Sequence, residues 1–110
     1  MSLLKKLFGG TSVDFATLVK EGAMIIDVRS PGEFASGHVR GSINLPLDSF
    51  AQAIEQVVPD KSVAVILCCA SGGRSGMACS FMQQMGYQQV SNGGSAGSVS
   101  MQCGLPIDRL

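Results

Sequence analysis

The 110-residue chain has no tryptophan, one histidine, and no Cys-x-x-Cys pair. That histidine and that spacing leave too few ligands for a zinc site, and neither a metal nor an organic cofactor is expected. No stretch reaches the roughly 18 apolar residues of a membrane-spanning helix. The opening "MSLLKKLF" carries two lysines, but only Leu7 and Phe8 follow as apolar residues, too few for a secretory signal. Eight Lys+Arg balance eight Asp+Glu. A neutral chain has no electrostatic footprint for nucleic acid and no polybasic patch for anionic lipid, so neither is an expected partner. Charge is nearly absent from the second half: between Ser62 and Ile107, Arg74 is the only charged residue.

What remains is a chain with 45% hydrophobic residues, enough for one modest core and too apolar for disorder. Residues 1–10 read as a leader and residues 11–110 as the folded domain, with no repeat or internal linker. Cysteines stand at 68, 69, 79 and 103. Adjacent cysteines rarely pair with each other, and with no signal in view the expectation is free thiols in a reducing cytoplasm.

Strands and helices alternate along the chain. "TSVDFATLVKEG" (11–22) predicts a helix with Thr11 and Asp14 in its capping pattern and Phe15, Leu18 and Val19 on its apolar face. "AMIID" (23–27) is a buried parallel strand. Ser30, Pro31 and Glu33 have the cap, first-turn and third-position spacing of a short helix over 31–36. "SINLP" (42–46) reads as a short strand, and Asp48 as the cap of a helix to Val57 with Phe50, Ile54 and Val57 inward. "VAVILC" (63–68) is the strongest strand. The helix after it carries Met77, Phe81 and Met85 at helical spacing, with Ala78 and Met82 beside them, and the methionines read as core. Gly86 closes it. "YQQVSN" (87–92) gives a last short strand and "GGSAGSVSMQCGLP" a poor, glycine-broken helix and turn. The whole reads as an α/β fold with a central, mainly parallel sheet flanked by helices.

The chemistry is expected where the central strand ends. In "CCASGGRSGMAC" (68–79), counting from Cys68 gives C-x5-R-S, the spacing of cysteine-dependent phosphatases; counting from Cys69 gives a loop one residue tighter. Ligands of open α/β folds favour this sheet edge. Gly72 and Gly73 let the backbone turn and aim N–H groups inward. The following helix adds its positive end, and Arg74 a full charge. Together these favour a thiolate, the nucleophilic form, and cradle an oxyanion. Cys69 is therefore the candidate nucleophile, with Ala70, Ser71, Gly72, Gly73, Arg74 and Ser75 as the substrate-binding loop. Cys68 ends an apolar run, where a buried thiol is ordinary; Cys79 sits mid-helix; Cys103 is the one plausible second reactive thiol.

Three segments carry a resemblance. "IIDVRSPGEFASGHVRGSINLPL" (25–47) resembles the opening motif of the rhodanese family. "CCASGGRSGMACSFMQQMGYQQV" resembles its C-x-x-G-x-R-S loop, helix and following strand, and "GLP" its ending. The likeness spans about residues 11–106. It implies a rhodanese-like fold and a sulfurtransferase in which a loop cysteine takes a sulfane sulfur from thiosulfate or a persulfide donor. The sulfur then passes to cyanide or an acceptor thiol, which a protein can supply. The family's nucleophile position falls on Cys69. The dual-specificity phosphatases and arsenate reductases that share this fold have the longer loop, so phosphatase chemistry from Cys68 stays open as a rival. Against it, Leu67 stands where a phosphatase carries histidine, and no acid lies between 62 and 107 to protonate a leaving group. A sulfur-relay or redox module acting on a protein thiol is a further reading. Asp27, Arg29, Glu33 and His38 read as structural ties. The tryptophan that relatives often place before GLP is missing, so the C-terminal segment is expected to be mobile or completed by a partner.

Overall fold

The computed structural model describes residues 14–110. The expected leader 1–10 and the capping role of Thr11 lie outside those residues. The elements run α1 (Phe15–Lys20), β1 (Met24–Asp27), α2 (Pro31–Ser36), β2 (His38–Val39), β3 (Ile43–Asn44), α3 (Leu47–Val57), β4 (Val65–Cys69), α4 (Gly73–Gln84), β5 (Val90–Ser95), α5 (Ala96–Cys103) and β6 (Ile107–Asp108). Four strands form a parallel sheet in the order β3-β1-β4-β5. β2 and β6 pair antiparallel as a separate ribbon.

The sheet divides the core into two because successive side chains of a strand point to opposite faces. On one face Ile26, Val65, Leu67 and Cys69 meet Phe50, Ile54 and Val58 from α3 and its end, and Ala78, Cys79 and Met82 from α4. On the other, Ile25, Ile66 and Cys68 meet Phe15 of α1 and Ala96 and Val99 of α5. All five residues of β4 are buried, as expected of a central parallel strand covered on both sides.

The structure corrects several local expectations. Asp14 itself caps α1, accepting from Thr17 N–H. Pro46, not Asp48, precedes α3, which has no side-chain cap. Val57 packs partly buried against the core as expected, and Val58 just beyond the helix is the fully buried one. On α4 the buried face is Ser75, Ala78, Cys79 and Met82; Met77 and Phe81 are 57% and 40% exposed, so of that helix's methionines only Met82 is fully buried. Met85, just past the helix, packs partly buried against the core with Ala78 and Met82, so spacing misplaces Met77 and Phe81 alone. By contrast, Ser30 and Glu33 make a complete capping box on α2.

The C-terminal segment is built from within. Ser95 caps α5 by accepting from Ser98 N–H, and Val99 is fully buried. The fit depends on Gly93: a Cβ there lies 2.5 Å from Val99 Cγ2, 3.0 Å from Ile66 Cγ2 and 3.1 Å from the Leu67 carbonyl oxygen. A bare backbone at 93 lets α5 approach the sheet that closely. β6 then closes on β2, with Arg40 and Asp108 joined at 2.9 and 3.0 Å.

Candidate active site

Cys69 is the last residue of β4 rather than the first of the loop, and its side chain is 1% exposed. The chain leaves the strand through Ala70 and Ser71, both exposed, and turns at Gly72, whose φ is +107°. Side chains rarely adopt that region, and glycine does so freely. Gly72 is the N-cap of α4, Gly73 its first residue, and no side chain caps it. The orphan amides of this helix start therefore have a different acceptor: the Cys69 sulfur. Gly72 N–H donates to Sγ at 3.0 Å and Ser75 N–H at 3.4 Å, with the Ser75 hydroxyl oxygen also 3.4 Å away.

These contacts set the pKa of the thiol. Burial pushes it up, but hydrogen bonding from the Ser75 side chain and from the Ser75, Gly72 and Ser71 amides outweighs that, and Cys69 is lowered to about 7. One residue earlier the balance reverses. Cys68 faces the other core, and burial, reinforced by the Asp27 carboxylate, pushes its thiol up to about 12. Cys79 is pushed up to about 11 by burial. Cys103 is half-buried and also raised, by burial and then by Asp14, the wrong direction for a second nucleophile. All four cysteines are free.

Arg74 is placed differently from expectation. Its guanidinium is turned to Glu33, Nη1 donating to Oε1 at 2.8 Å and Nη2 to Oε2 at 3.1 Å. Glu33 is held down to about 2 by that pairing first and by the Ser30 amide second. The contacts that lower Cys69 are thus neutral dipoles of the loop and helix start, and the cation stands at the rim in a half-exposed ion pair. The remaining sequence candidates tie backbone, as read. Arg29 grips the fully buried Asp27 through Nε and Nη2 and also reaches the Gly37 carbonyl. His38 Nδ1 lies 2.8 Å from the Phe34 carbonyl oxygen, its ring stacked on that of Phe34.

Asn92 is the site residue that sequence reasoning missed. Pairing of β4 with β5 slips between Leu67 and Cys68, where Leu67 faces Asn92 but Cys68 faces Gly94. The bulge turns the Asn92 amide toward the cradle, where Nδ2 donates to the Gly72 carbonyl at 3.0 Å. Its Oδ1 accepts from the Ser75 hydroxyl at 2.6 Å and from Gly94 N–H at 3.0 Å. The signal available was Asn-Gly-Gly at a strand end, which marks a bulge or tight turn but not what it faces.

Comparison with known proteins follows the same lines. The rhodanese-like domain family model matches residues 11–95. The thiosulfate sulfurtransferase PspE of Escherichia coli K12 is 40% identical over 76 residues, covering 69% of this chain and 73% of that protein. The thiosulfate sulfurtransferase GlpE of Pseudomonas putida KT2440 is 32% identical over 71 residues, covering 64% of this chain and 63% of that one. Among solved structures, a rhodanese with anions from E. coli superposes with a TM-score of 0.74 at 34% identity, covering 81% of this chain and all of that one.

Proposed function

The chain belongs to the rhodanese-like domain family, and we propose that it is a sulfurtransferase that carries a sulfane sulfur as a persulfide on Cys69. The observation that carries this reading is the cradle itself: a buried sulfur receiving Gly72 N–H at 3.0 Å and Ser75 N–H at 3.4 Å, with its pKa lowered to about 7. Such a site stabilises a thiolate at neutral pH. It offers the same donors to the charge of a persulfide.

The reaction is a double displacement through a covalent intermediate. The Cys69 thiolate attacks the outer sulfur of thiosulfate; the S–S bond of the donor breaks, and sulfite leaves with the electron pair. The terminal sulfur of the Cys69 persulfide is then attacked by cyanide or an acceptor thiolate, and Cys69 leaves as thiolate. A persulfide donor enters the same way, with a thiolate as leaving group. Ala70, Ser71, Gly72, Gly73 and Ser75 supply the loop around the sulfur. Arg74 serves the anionic donor at the rim, where that donor competes with Glu33 for the guanidinium. The acceptor is a thiophile, a protein thiol included, and four free cysteines suit the reducing cytoplasm.

The test is intact mass after thiosulfate treatment. The expected result is one added sulfur, removed by cyanide and absent in Cys69→Ala. The longer-loop rival predicts aryl phosphate turnover that depends on Cys68. That outcome, or no added sulfur with any donor, overturns the proposal.

A further inference from the structure

Ser75 has one hydroxyl proton and two neighbours that want it. The orientation of the Asn92 amide decides which one holds it. The Gly72 carbonyl can only accept, so the group 3.0 Å from it is Nδ2; Gly94 N–H can only donate, so its partner is Oδ1. Oδ1 is therefore the atom 2.6 Å from Ser75 Oγ, and a carbonyl oxygen has no proton to give. The Ser75 proton points at Asn92. Toward Cys69, 3.4 Å away, the same oxygen presents a lone pair.

We infer that Asn92 is a positioning residue that holds the Ser75 hydroxyl proton away from the Cys69 sulfur, so that the resting cradle accommodates a thiol and the charged cradle requires the hydroxyl to turn. With Cys69 protonated, Sγ–H donates to Ser75 Oγ, which donates to Asn92 Oδ1. When the thiol proton leaves to solvent, the Ser75 lone pair faces an anion, and the hydroxyl rotates to donate to sulfur. Asn92 Oδ1 then keeps Gly94 N–H, and the exposed position of Asn92 gives it water. Ser75 is fully buried, and among the described residues its hydroxyl has Cys69 and Asn92 as side-chain partners, so its proton is shared between these two settings. The step is a rotation with no redox change, and the same rotation serves a persulfide anion on Cys69.

The inference rests on Cys69 as the reactive thiol, and its test needs no sulfur transfer. The readout is the pH midpoint of iodoacetamide alkylation, mapped to Cys69. Asn92→Leu leaves Ser75 no acceptor but frees its proton for sulfur, and the midpoint falls by about half a pH unit, the worth of one modest hydrogen bond. Asn92→Asp, nearly the same shape, holds the proton harder and adds a negative charge, and the midpoint rises. In a Ser75→Ala background Asn92→Leu no longer lowers the midpoint, because the proton in dispute is gone. The other ionisable groups near the sulfur are unchanged by these variants: Cys68 on β4, Arg74 and Cys79 on α4, Asp27 and Arg29 at the end of β1, and Glu33 on α2; β5 contributes none. A midpoint that stays or rises in Asn92→Leu assigns Asn92 to loop shape alone and overturns the inference, as does an equal fall without Ser75. Should Asn92→Leu fail to fold, a fall or no change in Asn92→Asp overturns it equally. Failure of sulfur loading with these midpoint shifts intact would instead count against the transferase reading.

Discussion

Replacing each member of the Cys68–Cys69 pair separates the two loop countings. At pH 7 a thiol at about 7 is half ionised, whereas one at about 12 holds roughly one thiolate in 10⁵. Thiolates, not thiols, attack sulfur. The gap between the two sites is thus about four to five decades of nucleophile concentration, before access is considered. Cys69→Ala is expected to abolish thiosulfate labelling. Cys68→Ala is expected to keep it while losing on the order of 1–2 kcal/mol of stability from the small void left among Ile25, Ile66 and Val99. For a domain of this size that is a fall of about 4–16 °C in melting temperature. The pH profile carries the sign: the lowered thiol is ionised above its midpoint, so labelling rises about tenfold per pH unit below about 7 and levels off above it. Cleavage after Lys61 and Arg74 leaves both cysteines in one peptide, so the assay is fragmentation of peptide 62–74 to place the added mass on residue 68 or 69. Label on Cys68, or label retained in Cys69→Ala, would refute the reasoning and revive the longer loop.

Three further expectations follow from named contacts. Gly72→Val meets ordinary space, with Gly94 Cα 3.5 Å from the new Cβ, but a φ of +107° that a β-branched residue resists at a cost of about 1–3 kcal/mol. The loop relaxes by turning its N–H off the sulfur, so transferase activity falls at least tenfold while melting temperature falls modestly; full activity with an unchanged alkylation midpoint contradicts the cradle at that residue. Gly93→Ala puts a methyl against Val99, Ile66 and the Leu67 carbonyl at once and is expected to cost about 1–3 kcal/mol by overpacking. Val99→Ala then partly restores it, a non-additive pair readable by denaturant titration. Glu33→Gln releases Arg74 while retaining a residue type able to complete the α2 capping box, so KM for thiosulfate falls and becomes more salt-sensitive; Arg74→Ala raises it, and identical effects from both variants would remove Arg74 from donor binding.

The fold was legible because each strand declares its environment. "VAVILC" has no polar member, and only a strand covered on both faces tolerates that. Ser30 and Glu33 named α2 by their spacing. What spacing does not show is which of several apolar stripes faces inward. On α4, Met77 and Phe81 repeat as regularly as Ala78 and Met82, and the choice is made by the sheet beneath, where Ser75 reaches Cys69. The site was legible to the same depth. Cys69 and its loop follow from glycine positions and a helix start, which are local. The partner of Arg74 and the role of Asn92 are set by residues 41 and 17–20 positions away, and no local pattern encodes them. The absent tryptophan gives the expectation of a C-terminal segment that is mobile or completed by a partner; what sequence does not show is the packing of Val99, fully buried against the bare backbone of Gly93.

These placements divide the work of binding negative charge between two kinds of group. Around Cys69 the groups that lower its pKa are hydroxyl and backbone dipoles, whose influence is short in range. Arg74 is drawn to the rim and largely neutralised by Glu33. A cation pressed against the sulfur would hold a thiolate most firmly, but it would also hold any small anion and weaken the nucleophile by stabilising its ground state more than its transfer. A dipole cradle with a hydroxyl free to turn favours a charged sulfur only once that charge forms, which is where preorganised donors contribute most. For a carrier that must both accept a sulfur and release it, that restraint matters as much as affinity. The sulfur has to remain reactive enough to leave.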